Sequence, residues 1–184
     1  MRLKLALAAL LVAVPSAALA HTGAGLEHDL SHGFLHPLGG LDHVLAMVAV
    51  GVFAFVLGGR ALYLVPLAFV GMMAVGFLLG LGGVELPFVE LGIALSSVVI
   101  GGVAALGRPM PVVAASALVG LFAVFHGVAH GAEMPLGASG LDYALGFVAA
   151  TALLHLAGIA AAMGVARLVG TYGKPVAQAA GLPY

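Results

Sequence analysis

The sequence predicts an all-α, polytopic membrane protein of about five spans, and three observations lead there. Of its 184 residues, 63% are hydrophobic and only 7% charged, with a mean hydropathy of +1.23. A soluble domain of this size carries about a quarter charged residues, so this inventory cannot build a water-facing surface. After residue 40, five apolar stretches of bilayer length follow one another. The few basic residues fall on alternate connections between them, as an orientation signal requires. The same inventory excludes other classes. A net charge of −1 offers no basic stripe to nucleic acid. The absence of cysteine removes disulfides, iron–sulfur clusters, thiolate metal sites and thiol nucleophiles together. Histidine stands out, with eight copies against six Lys plus Arg.

The first element is a processing signal over 1–20. Arg2 and Lys4 precede an apolar run from Leu5 to Val14, then Pro15, Ser16 and an Ala18-Leu19-Ala20 ending. That is the order of a cleaved secretory signal, and the run is short for a span. Cleavage after Ala20 leaves His21 first, so that a new amine and an imidazole either chelate a metal ion together or remain an unligated terminus. A histidine-rich outer segment then covers 21–40.

The transmembrane bundle covers 41–169, with spans expected over 41–59, 61–81, 86–106, 110–129 and 141–169, and a cytoplasmic tail over 170–184. A mature N-terminus outside puts Arg60, Arg108, Arg167 and Lys174 all on the cytoplasmic side. The last span is longer than a bilayer needs, so it is expected to tilt or bend, with Gly158 a candidate break. Glycine elsewhere in the spans reads as close helix packing.

On this topology all seven acidic residues and seven of the eight histidines collect at or near the outer face. Such a cluster concentrates a divalent cation. Its first half is Glu27-His28-Asp29 through His43. His28, His32 and His36 recur every four residues, along one face of a helix, until Pro37, Gly39 and Gly40 turn the chain. Asp42 and His43 follow at the threshold of the first span, where an ionisable pair carries a desolvation cost that a bound cation offsets. Imidazole and carboxylate donors suit nickel, cobalt, zinc, copper or iron(II) rather than magnesium or calcium. The second half is Phe125-His126-Gly127-Val128-Ala129-His130-Gly131-Ala132-Glu133, where His126, His130 and Glu133 at i, i+4 and i+7 are expected to converge on one helix face. No Glu follows the first of these histidines, so the zinc-protease arrangement is absent.

The two halves look like copies. Aligning 28–43 with 126–143, allowing two extra residues, matches nine of sixteen positions, among them His28 with His126, His32 with His130 and Asp42 with Asp142. The sequence therefore suggests a parallel internal repeat that relates the first and fifth spans. Deeper candidates remain. Glu90, about one turn inside the third span, is expected to face the same interior cavity. His155 lies thirteen residues beyond Asp142, roughly 20 Å along the helix, and is either a deeper relay ligand or a histidine satisfied by a carbonyl. Met47, Met72 and Met73 read as packing.

At His36-Pro37-Leu38-Gly39-Gly40-Leu41-Asp42-His43 and at the Phe125 to Glu133 motif, the sequence resembles the HupE/UreJ family of hydrogenase and urease accessory proteins. The resemblance extends over essentially the whole chain. It implies secondary permeation of nickel, or in some members cobalt, across the bacterial inner membrane to supply metalloenzyme maturation. It also implies that His36, Asp42, His43, His126, His130 and Glu133 are the functional residues. His21, His28, His32, Glu90, Asp142 and His155 are further candidates along the metal's path. The ion is then a substrate rather than a resident cofactor, and the expected partners are the ion and the bilayer, without nucleic acid or nucleotide. No phosphate-binding loop is present for ATP hydrolysis. Two other classes are weighed. An intramembrane metal-dependent hydrolase would need a nucleophile, but Ser96 and Ser97 are expected too near mid-span to reach the outer cluster, and no serine elbow exists. A metal-binding accessory subunit without flux is the third reading.

Overall fold

An apolar stretch inside hydrocarbon must satisfy its own N–H and C=O groups, and within one segment only a helix does so. The computed structural model describes residues 29–134 and 139–170, and among these it is all-helical. Six helices follow in order: α1 (Asp29–Gly39), α2 (Leu41–Leu57), α3 (Ala61–Leu81), α4 (Val89–Leu106), α5 (Val112–Ala132) and α6 (Gly140–Val169). Four of them, α3 to α6, are long and apolar enough to cross a membrane. The 17-residue α2 joins α1 through an 89° bend, and the pair makes a fifth span when the two are taken as one. The chain is thus a multi-pass membrane protein. The signal segment, His21, His28 and the tail beyond Gly170 lie outside the described residues.

The bend is made where the sequence places its turn residues. Pro37 is accommodated inside α1, and the helix breaks at Gly40, which adopts an extended conformation (φ −103°, ψ 118°). A Cβ on Gly40 would stand 2.9 Å from Asp42 Oδ1 and 3.1 Å from His43 Nδ1. The missing side chain therefore lets these two groups fold back on the corner. At the far end of α2, Gly58 and Gly59 both take positive φ (68° and 53°) and turn the chain into α3.

Between helices in lipid there is no hydrophobic drive to associate, so close packing of small residues holds the bundle. The most extensive pair is α3 with α5. Gly76 lies on the backbone of Val124 and Gly127, and Gly80 on that of Val128 and Ala132, so the two helices run in the same direction. On the other side, α1 and α2 both pack along α6. There Gly51 faces His155 and Gly158, and α6 passes through Gly158 without a break. The expected break at Gly158 is thus corrected: its lack of a side chain admits the Val48 carbonyl. The interior is filled by Met47, Phe53, Phe69, Met73, Ile100 and Phe147.

A side chain at Gly76 has no room, because its Cβ would meet the Val124 carbonyl and stand 3.0 Å from the Val124 Cα. Gly76→Val is expected to lower stability by about 1–3 kcal/mol, seen as a lower thermal midpoint of the purified protein in detergent. Gly71→Val, on the same helix with open space around it, is expected to leave the midpoint unchanged.

Candidate metal centre

Helical periodicity brings the histidines of three helices to one end of the bundle. His32 and His36 are a turn apart on α1, Asp42 and His43 begin α2, and His126 and His130 occupy the last turns of α5. Glu133 caps that helix. At the mouth, His36 Nε2 lies 3.2 Å from Glu133 Oε2 and, a carboxylate being only an acceptor, donates to it. The ring of His130 stands edge-on to that of His36, with centroids 4.8 Å apart. Ligand atoms of His36, His130 and Glu133 all fall within 4.8 Å of one another, a spacing that one metal ion could bridge.

One layer deeper, His43 sits between His130 and His126, 4.7 Å from each by ring centroids. Asp42 Oδ1 accepts two bonds from the neighbouring residue, from the backbone N–H of His43 at 2.9 Å and from its ring Nδ1 at 3.1 Å. The Nε2 of His43 is then a bare lone pair. A carboxylate behind an imidazole in this way fixes the ring and strengthens it as a donor. Deeper again, His126 meets Ser96 Oγ at 2.9 Å and the ring of Phe69 at 5.6 Å. Phe69 in turn contacts the ring of His155 edge-on at 5.2 Å. His32, His36, His130, His43 and His126 therefore form a column of imidazoles, with Phe69 between its foot and His155.

Seven buried side-chain nitrogen and oxygen atoms among the described residues have no hydrogen-bond partner. They are Nε2 of His43, Nδ1 of His126, both ring nitrogens of His130 and of His155, and the hydroxyl of Tyr143. Five of the seven lie on this column or against it, since Tyr143 packs 6.0 Å from His36 and 5.9 Å from His32, and the other two belong to His155 beyond Phe69. A buried polar group without a partner costs about 1–3 kcal/mol. Such a concentration along one line is what a passing cation or its water would satisfy.

The structure rearranges several sequence expectations. His126, His130 and Glu133 do not converge as one triad. Glu133 lies beyond the end of α5 and reaches His36, while His126 points a layer deeper toward His43. Asp42 turns to His43 rather than to the mouth. Glu90, expected in the interior, is exposed in the first turn of α4. Asp142 is exposed in the first turn of α6, where its N–H donates to Ser139 Oγ at 3.4 Å. The first and fifth spans lie side by side, but at the position aligned with His43 the second half supplies Tyr143, and this is the residue that joins the histidines. Ser96, expected out of reach, touches His126 because that histidine is the deepest of its motif. The carbonyl expected as one option for His155 is not its partner: both ring nitrogens are without one. Sequence reasoning missed Tyr143, for which the repeat alignment was a signal, and Phe69, for which there was none.

Comparisons with known proteins identify the family. The family model described as HupE / UreJ protein matches residues 8–183. The chain belongs to the HupE/UreJ family. It is 45% identical over 171 residues to Protein HupE of Rhizobium leguminosarum bv. viciae, covering 92% of this chain and 87% of that relative. No solved structure matches the chain. The HupE/UreJ family is one of accessory and transport proteins associated with nickel supply to hydrogenase and urease.

Proposed function

We propose that this HupE/UreJ protein is a secondary permease that admits nickel, and in some circumstances cobalt, across the bacterial inner membrane for metalloenzyme maturation. One observation carries the reading. A column of imidazoles leads from a carboxylate-bearing mouth to the middle of the bundle, and its buried lone pairs are unpartnered. Nitrogen and carboxylate donors fit nickel but equally cobalt, zinc or copper, so the choice of nickel rests on the family's association.

The orientation follows from charge. Arg60 precedes α3, Arg108 follows α4 and Arg167 lies in the last turn of α6, all at the end opposite the histidines. The positive-inside rule makes that end cytoplasmic and the histidine end periplasmic. Glu133 and His36 then capture the hydrated ion, His130 and His43 replace part of its water, and His126 receives it before Phe69 and His155. Several weak sites in series allow both entry and release.

Radioactive nickel uptake into cells that lack their own nickel transporters tests the reading. Expression of the chain is expected to raise uptake well above that of control cells; uptake at the control level by a well-inserted protein would overturn it. Protons compete with the ion for the same imidazole nitrogens. Uptake is therefore expected to fall as the outside is acidified. A rate that rises on acidification would contradict this and indicate proton coupling.

A further inference from the structure

The hydroxyl of Ser96 is fully buried in α4 and touches two groups at once. Its Oγ lies 2.6 Å from the carbonyl oxygen of Ile93 and 2.9 Å from Nε2 of His126. Serine has one hydroxyl proton to give. Two oxygens 2.6 Å apart with no proton between them would repel, so that proton is on the line to Ile93. The contact with His126 must then run the other way, with Nε2–H donating and Ser96 Oγ accepting. It follows that Nε2 of His126 carries the ring's proton. Its Nδ1, buried and without a partner, is the bare nitrogen of the neutral ring.

We infer that Ser96 is a positioning residue for metal passage: it holds His126 in the tautomer and orientation that leave Nδ1 free to bind the ion. The inference rests on reading His126 as a ligand on the path. A metal takes only a deprotonated ring nitrogen, and a ligating histidine is nearly always anchored through its other N–H. The layer above follows the same logic with a different anchor. Asp42 holds the Nδ1–H of His43 and leaves Nε2 bare. Two neighbouring imidazoles, 4.7 Å apart, thus each have one nitrogen tied down and one unpartnered, although the anchors come from different helices. A hydroxyl anchor, unlike a carboxylate, adds no negative charge to its ring. It leaves His126 the softer-held of the two donors, which suits a site that must release its ion inward. The polarity of the contact also opposes serine catalysis, in which the serine proton must point at the histidine rather than at a backbone carbonyl.

The full-length protein, with its histidine nitrogens labelled with 15N and embedded in lipid bilayers without metal, is examined by solid-state NMR. The His126 signals are assigned by their loss in His126→Gln. The expected spectrum shows a protonated Nε2 and a bare Nδ1 at His126 in the parent and in Ser96→Thr, which keeps the hydroxyl. In Ser96→Ala that pattern is expected to be lost. A protonated Nδ1 in the parent would overturn the inference. In the same set, the nickel concentration giving half-maximal uptake is expected to rise about tenfold in Ser96→Ala and to stay within about twofold of the parent in Ser96→Thr. Ser97→Ala, whose native hydroxyl donates to the Ala94 carbonyl at 3.0 Å, removes a buried hydroxyl without touching His126 and is expected to match the parent. Equal values for the parent and Ser96→Ala, or a Ser97→Ala defect as large as that of Ser96→Ala, would contradict the positioning role. Should the parent carry no nickel, the permease reading fails, whereas the spectrum still decides the tautomer.

Discussion

Replacing His130 with alanine is expected to reduce nickel uptake by about a hundredfold, to the level of cells without the protein, at unchanged amounts of protein in the membrane. No other ring is so central. His130 meets His36 above at 4.8 Å and His43 beside it at 4.7 Å, and it shares the spacing of His36 and Glu133 at the mouth. Both of its nitrogens are buried without partners, so the substitution breaks no hydrogen bond and leaves no orphaned group behind. The ring is fully buried against Phe147, so its removal leaves a cavity, and the thermal midpoint of the purified variant is measured beside uptake to separate loss of a ligand from loss of the fold. His32 provides the contrast. It is half-buried, 6.1 Å from His36 and outside the cluster of His36, His130 and Glu133, and His32→Ala is expected to cost no more than about threefold. Equal loss in the two variants would mean that a place among the clustered ligand atoms is irrelevant.

The second large effect is expected at Asp42, and by a different route. Its carboxylate stands behind His43 and accepts both the ring and the backbone N–H of that residue. Asp42→Ala removes the anchor and the negative charge while leaving the imidazole in place, and is expected to weaken nickel uptake 10- to 100-fold, in the range typical of groups that orient a metal ligand. Asp42→Asn keeps an acceptor oxygen without the charge and should fall between alanine and the parent. The ordering of uptake, parent above asparagine above alanine, is the signature of an orienting carboxylate. Asparagine as poor as alanine would instead mark the charge alone as what matters.

Much of the fold was legible because hydropathy in so apolar a chain leaves little ambiguity. The expected spans and the helices agree within a few residues, and the turn at Gly40 falls among the residues that signalled it. What periodicity could not supply was which faces meet. It grouped His126, His130 and Glu133 because they share a helix face, but a helix face is a line about 10 Å long over seven residues, at 1.5 Å per residue. Partners from α1 and α2 divide that line into layers, so Glu133 pairs with His36 and His126 with His43. Glu90 misled for a related reason. An ionisable residue near a span's end was assigned to the interior, whereas the first turn of α4 presents it outward. Ser96 was discounted by depth alone. Its importance depends on α4 lying beside α5, which no local pattern in the sequence reveals.

The central claim is passage of nickel along this column, and flux through the purified protein tests it most directly. Full-length protein reconstituted into liposomes is to be given radioactive nickel outside, with no nucleotide present. Nickel is expected to accumulate inside the parent vesicles and to stay outside in vesicles carrying His130→Ala or Asp42→Ala. Tight nickel binding by the parent without entry into the lumen would contradict permeation and mark the protein as a metal-holding accessory subunit.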